Sequence, residues 1–173
     1  MGLRVFFFVE TLKKRFPDQR ELPFSAKVEF EPYGALNMRA LAREKTRRFF
    51  VRIINRILKM SILENKAVTF QSETKKSDYN RWPEGTFAGA FVGWDNTPRR
   101  GVSGTVVKPP SKEEFKAYLN KKIELSKNVY KTGYVFINAW NEWAEGTYLE
   151  PDTLHGYNYL EAISECKDNK TPS

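Results

Sequence analysis

The chain has 173 residues, the length of one domain or of one part of a larger domain. Its 13 Phe, 4 Trp and 8 Tyr exclude a disordered chain, because disordered segments lack the apolar rings that build a core. One cysteine, Cys166, and one histidine, His155, are too few for a disulfide scaffold or a Cys/His zinc site, so we expect any catalysis to use the 21 carboxylates. No apolar stretch approaches the roughly 18 residues of a membrane span.

Four apolar runs predict β-strands. The continuous run VFFFVE predicts a buried strand at residues 5–9, and the alternating run AKVEFEP predicts a second strand at 26–30 that ends before Pro32 and Gly34. The run TFAGAFVGWD predicts a third strand at 88–93, ending at Trp94 and Asp95. The run TGYVFINAW predicts a fourth strand at 134–138.

Two helices are predicted in the C-terminal half of the chain. Ser111 and Glu114 have the spacing of a capping box and mark the start of the first helix. Its predicted buried side carries Phe115, Tyr118, Leu119, Ile123 and Val129. A short last helix is predicted to carry Tyr157, Leu160, Ala162 and Ile163.

Strands that alternate with helices are typical of βαβ units around a parallel sheet, so the predicted fold class is α/β. Parallel strands present functional residues at their C-terminal ends. Those ends carry polar and aromatic residues here: Glu29 and Glu31, then Trp94, Asp95 and Asn96, then residues 138–150. The clustering indicates a site at this edge, although loops at strand ends are also polar simply because they are solvated.

The net charge of +8 is concentrated in one segment. The segment from Arg39 to Lys59 contains eight basic residues and one acidic residue, Glu44, so its charge sums to +7. Apolar residues at helical spacing in the same segment predict a basic amphipathic helix at about 36–60. Three interpretations remain open: a surface helix with its apolar face packed on the body, contact with an anionic membrane or a glycolipid diphosphate, and nucleic-acid binding, which is the least expected.

The segment INAWNEWAEGTYLEPD, residues 137–152, contains the most specific chemistry. Glu142 and Glu145 are three residues apart, and two carboxylates in one partly apolar cleft can divide into a protonated acid and an ionised base or nucleophile. Glycosyl chemistry needs that division, and the flanking Trp140 and Trp143 could stack on a sugar. Alternatively, the Trp residues belong to the core and the Glu residues cap a helix that starts near Gly146.

Three motifs in this order carry a family resemblance. The segment INAWNEWAEGTYLEPD, followed by GYNYLEA, resembles the C-terminal signature of the WbsX-type polysaccharide-biosynthesis family, whose members are often described as glycosyltransferases. VEFEPYG and GWDNTPRRG resemble two further segments of that family. NEWAEGTYLEP is also similar to the NEW-x-EGT-x-x-E segment of glycoside hydrolase family 99, the endo-mannosidase type. The match extends over roughly residues 24–162.

The resemblance implies the C-terminal half of a (β/α)8 TIM-type barrel, about four βα units, because a complete barrel needs about 200 to 250 residues. It further implies that Glu142 assists or deprotonates the sugar 2-hydroxyl and that Glu145 is the general acid/base at the glycosidic oxygen. Ala144 stands where the hydrolases tend to have His, which favours the WbsX-type branch. The expected substrate contacts are Glu29, Trp94, Asp95, Asn96, Arg99, Asn138, Trp140, Asn141, Trp143, Tyr148 and Glu150.

The domain and partner expectations follow from these observations. Residues 1–168 are expected to form a single partial barrel domain, and 169–173 a disordered tail. An oligosaccharide or glycolipid is the expected substrate, a separate N-terminal half-barrel is a candidate partner, and no metal or cofactor is expected. The expected location is cytoplasmic, with a peripheral position at the inner membrane as an alternative. Hydrolysis and transfer both remain open, as does a noncatalytic carbohydrate-binding remnant.

Overall fold

A computed structural model describes residues 27–31, 49–50, 53–54, 56–57, 67–77, 83–101 and 104–168. The predicted strand at 5–9 and the tail at 169–173 lie outside these residues. The strands are β1 (Lys27–Val28), β2 (Ala67–Val68), β3 (Thr86–Phe91), β4 (Trp94–Asp95), β5 (Val106–Val107), β6 (Val135–Asn138), β7 (Asn141–Glu142) and β8 (Thr147–Tyr148). The helices are α1 (Phe70–Ser77), α2 (Thr97–Arg100), α3 (Lys112–Asn128) and α4 (Asn158–Asp168), with a 3₁₀ turn at Trp143–Glu145.

Strands β1, β3 and β6 form a parallel sheet in chain order. Val28 pairs with Phe87, and Phe91 pairs with Asn138. The α/β class and the parallel order are therefore confirmed for these three strands, whereas the half-barrel remains a prediction. Strand β3 begins and ends two residues earlier than predicted, because Gly93 has a φ of +152° and Trp94–Asp95 leaves the sheet to pair antiparallel with β5.

Helix α3 connects β3 to β6 and packs on β3 and α4. Its start is the predicted capping box: the Ser111 hydroxyl accepts from the Glu114 N–H, and the Glu114 carboxylate accepts from the Ser111 N–H at 2.9 Å. Phe115, Tyr118 and Leu119 are buried as predicted. The rings of Phe91 and Tyr118 meet edge to face with centroids 5.9 Å apart, which joins the sheet to the helix.

Helix α4 begins one residue after Tyr157, which was expected on this helix, and the Tyr157 side chain is exposed. The buried positions of α4 are Tyr159, Ala162 and Cys166, at the spacing of one helical face. The Tyr159 hydroxyl donates to the Pro110 carbonyl oxygen at 3.1 Å, which ties α4 to the start of α3.

The two faces of the parallel sheet differ in character. On the face toward α3, the carboxylates of Glu29 and Glu31 are buried against Lys122. On the other face, Phe87 makes edge-to-face ring contacts with Tyr134 and Phe136, both of which are exposed. Alternation along the strands separates these two sets of side chains.

The described residues of the basic segment, 49–50, 53–54 and 56–57, are helical. Their large apolar side chains are all exposed: Phe49, Phe50, Ile53, Ile54 and Ile57. For these residues, the interpretation that the apolar face packs on the body is therefore wrong. Among the described helices, none is both long and apolar enough to cross a membrane.

Candidate functional site

The loop after β6 carries the Glu pair on a short hairpin. Asn141 pairs with Tyr148, and Glu142 pairs with Thr147, across β7 and β8. The 3₁₀ turn between them ends at Gly146, which has a φ of +58°, a conformation that favours glycine. The alternative in which the Glu residues cap a helix starting at Gly146 is wrong, because Gly146 terminates a single turn.

A second loop, between β4 and β5, holds the residues expected to bind sugar hydroxyls. The Asp95 carboxylate accepts from the Thr97 N–H at 2.9 Å and from the Thr97 hydroxyl at 2.6 Å. The buried Asn96 side chain accepts from the Thr105 N–H at 2.8 Å. These hydrogen bonds stabilise the conformation of the loop. The expected role of Asp95 and Asn96 in sugar binding remains a prediction.

The two loops touch. A Cβ atom built on Gly146 would lie 3.3 Å from the Asp95 Cβ, so only a residue without a side chain fits easily there. The guanidinium of Arg99, which is largely exposed, forms an ion pair with the carboxylate of Glu145, which is largely buried. The Glu142 side chain is exposed on the hairpin. The structure thus brings Arg99, Asp95 and the Glu145 turn together.

Aromatic side chains form an open wall beside the carboxylates. Trp143 stacks on Tyr148 with centroids 3.8 Å apart and planes at 18°, and its indole N–H donates to the Glu150 carboxylate at 2.7 Å. Trp140 and Trp143 are about half exposed, so the alternative that both belong to the core is wrong. Trp94, expected on the rim, is buried among the core residues, because it lies on β4 under the loop.

Asp152 and His155 complete this wall and are residues that the sequence reasoning missed. The Asp152 carboxylate accepts from the Tyr148 hydroxyl at 2.8 Å, from the Leu154 N–H at 2.7 Å and from the His155 N–H, and its second oxygen lies 2.9 Å from His155 Nδ1. Burial alone would raise the pKa of Asp152, but these hydrogen bonds lower it well below its usual range. An Asp that follows Pro151 and precedes a short turn is the signal that could have indicated this motif.

Burial also acts on the Tyr148 hydroxyl. Together with the hydrogen bond to Asp152 and the charge of that carboxylate, it raises the pKa of Tyr148 to about 12. The hydroxyl therefore remains a donor to Asp152 throughout the neutral range.

Glu29 and Asn138 lie in the framework beneath the loops. The Glu29 carboxylate accepts from the Gly89 N–H at 3.0 Å, from Lys122 Nζ at 2.9 Å and from the Tyr130 hydroxyl, so it is buried and engaged, not open to a ligand. The Asn138 amide donates to the Glu31 carbonyl oxygen at 3.1 Å, and the Asn138 carbonyl accepts from the Thr147 hydroxyl at 2.6 Å. Asn138 thus connects the ends of β1 and β6 to the hairpin.

The described residues contain no group of three or more His, Cys, Asp or Glu side chains arranged to hold a metal ion. The charged and aromatic groups on the two loops can bind a polar ligand through stacking, hydrogen bonds and the cation of Arg99.

Comparison with known proteins gives a consistent result. Residues 1–163 match the family described as Glycosyltransferase WbsX. The chain is 34% identical over 153 residues to "Uncharacterized protein WxcX" of Xanthomonas campestris pv. campestris, covering 87% of this chain and 20% of that protein. The protein of the same name from strain B100 is 33% identical over the same coverage. The chain therefore spans about one fifth of the length of these relatives. No solved structure matches it.

Proposed function

The chain belongs to the WbsX glycosyltransferase family, and on that premise we propose that it is part of an enzyme that makes or breaks glycosidic bonds in the synthesis of a bacterial cell-surface polysaccharide. The substrate class is an oligosaccharide or glycolipid. The observation that carries the proposal is the pairing of Arg99 with Glu145 between two loops at the C-terminal ends of parallel strands, the edge where α/β sheets bind ligands.

We propose Glu142 and Glu145 as the reacting carboxylates. The Arg99 guanidinium holds the Glu145 carboxylate in an ion pair. A ligand with an anionic leaving group would compete for Arg99, because guanidinium forks suit phosphate and carboxylate. Once Arg99 turns to the ligand, Glu145 is free to take up a proton and to give it to the glycosidic oxygen as that bond breaks. It regains a proton from the incoming water or sugar hydroxyl. The exposed Glu142 would act on the sugar 2-hydroxyl.

The stacked pair of Trp143 and Tyr148 supplies the binding wall of this proposal. An indole face offers an apolar platform for the C–H face of a sugar. The hydrogen bond from the indole to Glu150 fixes the plane of the ring. Trp140, which is also about half exposed, would extend the platform to a second sugar unit.

For the architecture, we propose that the chain supplies one half of a (β/α)8 barrel, with residues 1–168 in one domain. Three parallel strands in chain order and a helix crossover between β3 and β6 support this arrangement. The aromatic face of Phe87, Tyr134 and Phe136 would then point into the barrel. The remaining strands would come from another part of a longer protein or from a separate chain.

The test uses a natural full-length family member that contains this segment, assayed with a bacterial oligosaccharide as donor and product analysis by mass spectrometry. Glu145→Gln and Glu142→Gln should each lower turnover by roughly 10²–10⁴-fold, because the amide keeps the shape but transfers no proton. Glu124→Gln, on the exposed side of α3, is the matched control and should retain full rate. Transfer to a sugar or to water distinguishes a transferase from a hydrolase.

The second candidate is a noncatalytic carbohydrate-binding remnant, favoured by the exposed stacking residues Trp140 and Trp143. It predicts that the wild-type protein binds oligosaccharide without turnover. Neither Gln substitution should then remove an activity. Full turnover in the Glu145→Gln protein on a natural oligosaccharide would exclude Glu145 as the acid.

A further inference from the structure

The basic segment presents an apolar surface to solvent. We call Phe49, Phe50, Ile53, Ile54 and Ile57 the apolar face. Their exposed fractions run from 41% for Ile53 to 73% for Ile57. At the 3.6-residue period, these five positions fall within about 140° of the helix circumference, so they form one continuous surface. The rings of Phe49 and Phe50 meet edge to face with centroids 5.9 Å apart.

Such a surface is unusual on a water-soluble helix. Burying side chains of this size is favourable because it removes apolar surface from water. Contiguous exposed apolar patches mark interaction sites, whereas singly scattered apolar residues do not. The apolar face contains five large side chains within nine residues, so we expect it to be an interaction site.

The positive charge around the apolar face indicates what kind of surface it binds. Arg56, exposed and helical, lies at the border of the apolar face. The sequence around it carries a sum of +7 between Arg39 and Lys59. A basic border beside a bulky apolar face complements a surface that has anionic head groups above hydrocarbon.

We propose that the apolar face and its basic border bind the surface of an anionic lipid bilayer, with the helix lying in the plane of the interface. Phe and Ile side chains would enter the boundary between head groups and acyl chains, and Arg56 would remain among the lipid phosphates. Nucleic acid fits less well, because phosphate neutralisation uses the cations and leaves the apolar face in water. The proposal does not depend on the glycosyl chemistry proposed above.

The experiment measures co-sedimentation of the 173-residue protein with vesicles of phosphatidylglycerol and phosphatidylcholine, and with phosphatidylcholine alone. We expect binding to the anionic vesicles that weakens as salt rises, because screening reduces the electrostatic part. Ile57→Cys, labelled with an environment-sensitive dye, should shift its emission to the blue on anionic vesicles. Cys166 is buried, so the dye reports on position 57.

Two sets of variants separate the apolar and the charged contribution. Phe50→Ser with Ile57→Ser should lower partitioning on the order of tenfold or more, since buried hydrocarbon drives insertion. Leu154→Ser with Tyr157→Ser is the matched control, because both residues are comparably exposed outside the segment. Gln at Arg52, Arg56 and Lys59 should cost about fivefold for each cation removed. Gln at the exposed Lys108, Lys127 and Lys167 should change partitioning less than twofold.

Several outcomes would overturn the proposal. One is equal binding to neutral and anionic vesicles, and another is unchanged binding in the Phe50→Ser, Ile57→Ser protein, which would mean simple charge attraction. Tighter binding to a DNA duplex or to RNA at the same salt would assign the segment to nucleic acid. An absence of vesicle binding together with stable self-association, lost in the same apolar variant, would assign the apolar face to a protein contact. Circular dichroism of each variant checks that the fold is retained.

Discussion

The ammonium group of Lys122 lies 2.9 Å from the carboxylate of Glu29, although the two residues come from the middle of helix α3 and the end of strand β1. Both side chains are almost completely buried, and the same ammonium group lies 3.1 Å from Glu31. The Tyr130 hydroxyl also donates to Glu29. This cluster joins α3 to the strand whose neighbours carry the candidate site.

Lys122→Met should destabilise the chain by roughly 3–5 kcal/mol, because it leaves two buried carboxylates without their cation. The measurement is the free energy of unfolding in urea at neutral pH. Lys127→Met, on the exposed side of the same helix, should change stability by less than about 0.5 kcal/mol. Equal effects of the two substitutions would contradict a structural role of the buried pair.

The same cluster predicts that the chain loses stability at alkaline pH. Burial alone would lower the pKa of Lys122, but the charges of Glu31 and Glu29 outweigh it and raise that pKa above its usual 10.5. A raised folded pKa contributes stability that is fully present below the unfolded value and is lost as pH rises through the folded value. Above about pH 10.5, the wild-type free energy of unfolding should therefore fall more steeply than that of Lys122→Met, as urea titrations across this range would measure.

The sequence predicted local features better than contacts between distant segments. The capping box at Ser111 and the buried positions of α3 depend on residues a few positions apart, so their pattern is readable in the chain. The parallel order of β1, β3 and β6 followed from the handedness of crossovers. Glu29 was expected at the ligand edge because it lies at the C-terminal end of a predicted strand, but a partner 93 residues away decides its position. Contacts between residues so far apart in the chain produce no local pattern in the sequence.

Gly89 is a position where the close approach of two strands excludes a side chain. A Cβ atom at Gly89 would lie 2.0 Å from the Glu29 carbonyl oxygen, so Gly89→Ala must separate β1 from β3. We expect a loss of about 3 kcal/mol or more in the free energy of unfolding, as for overpacked cores. Gly85→Ala is the matched control: its φ is +83° with no atom within 4 Å, and the cost should be only about 1 kcal/mol. A smaller loss at Gly89 than at Gly85 would refute this strand packing.

Asp152 should make the chain acid-sensitive. Its pKa is lowered in the folded state, so its contribution is present above the unfolded value near 3.8 and is lost as pH falls from there toward the folded value. Asp152→Asn should be less stable than wild type at pH 7, and the difference should shrink as the pH drops below about 4. Thermal unfolding followed by circular dichroism measures both. Glu84→Gln, at an exposed position, should show neither effect.

The Trp143 and Tyr148 pair gives a test of the proposed sugar platform that requires no turnover. Trp143→Ala should weaken oligosaccharide binding on the order of tenfold, because it removes the stacking face, and Tyr148→Phe should weaken it less, because the ring stack remains while only the hydroxyl contact to Asp152 is lost. Calorimetry with a panel of bacterial O-chain oligosaccharides provides the measurement. Tyr134→Ala, at the opposite end of β6, is the control and should leave affinity unchanged. If Trp143→Ala binds as tightly as wild type, the indole is not the platform, and the stack serves only to hold the hairpin against the Asp152 turn.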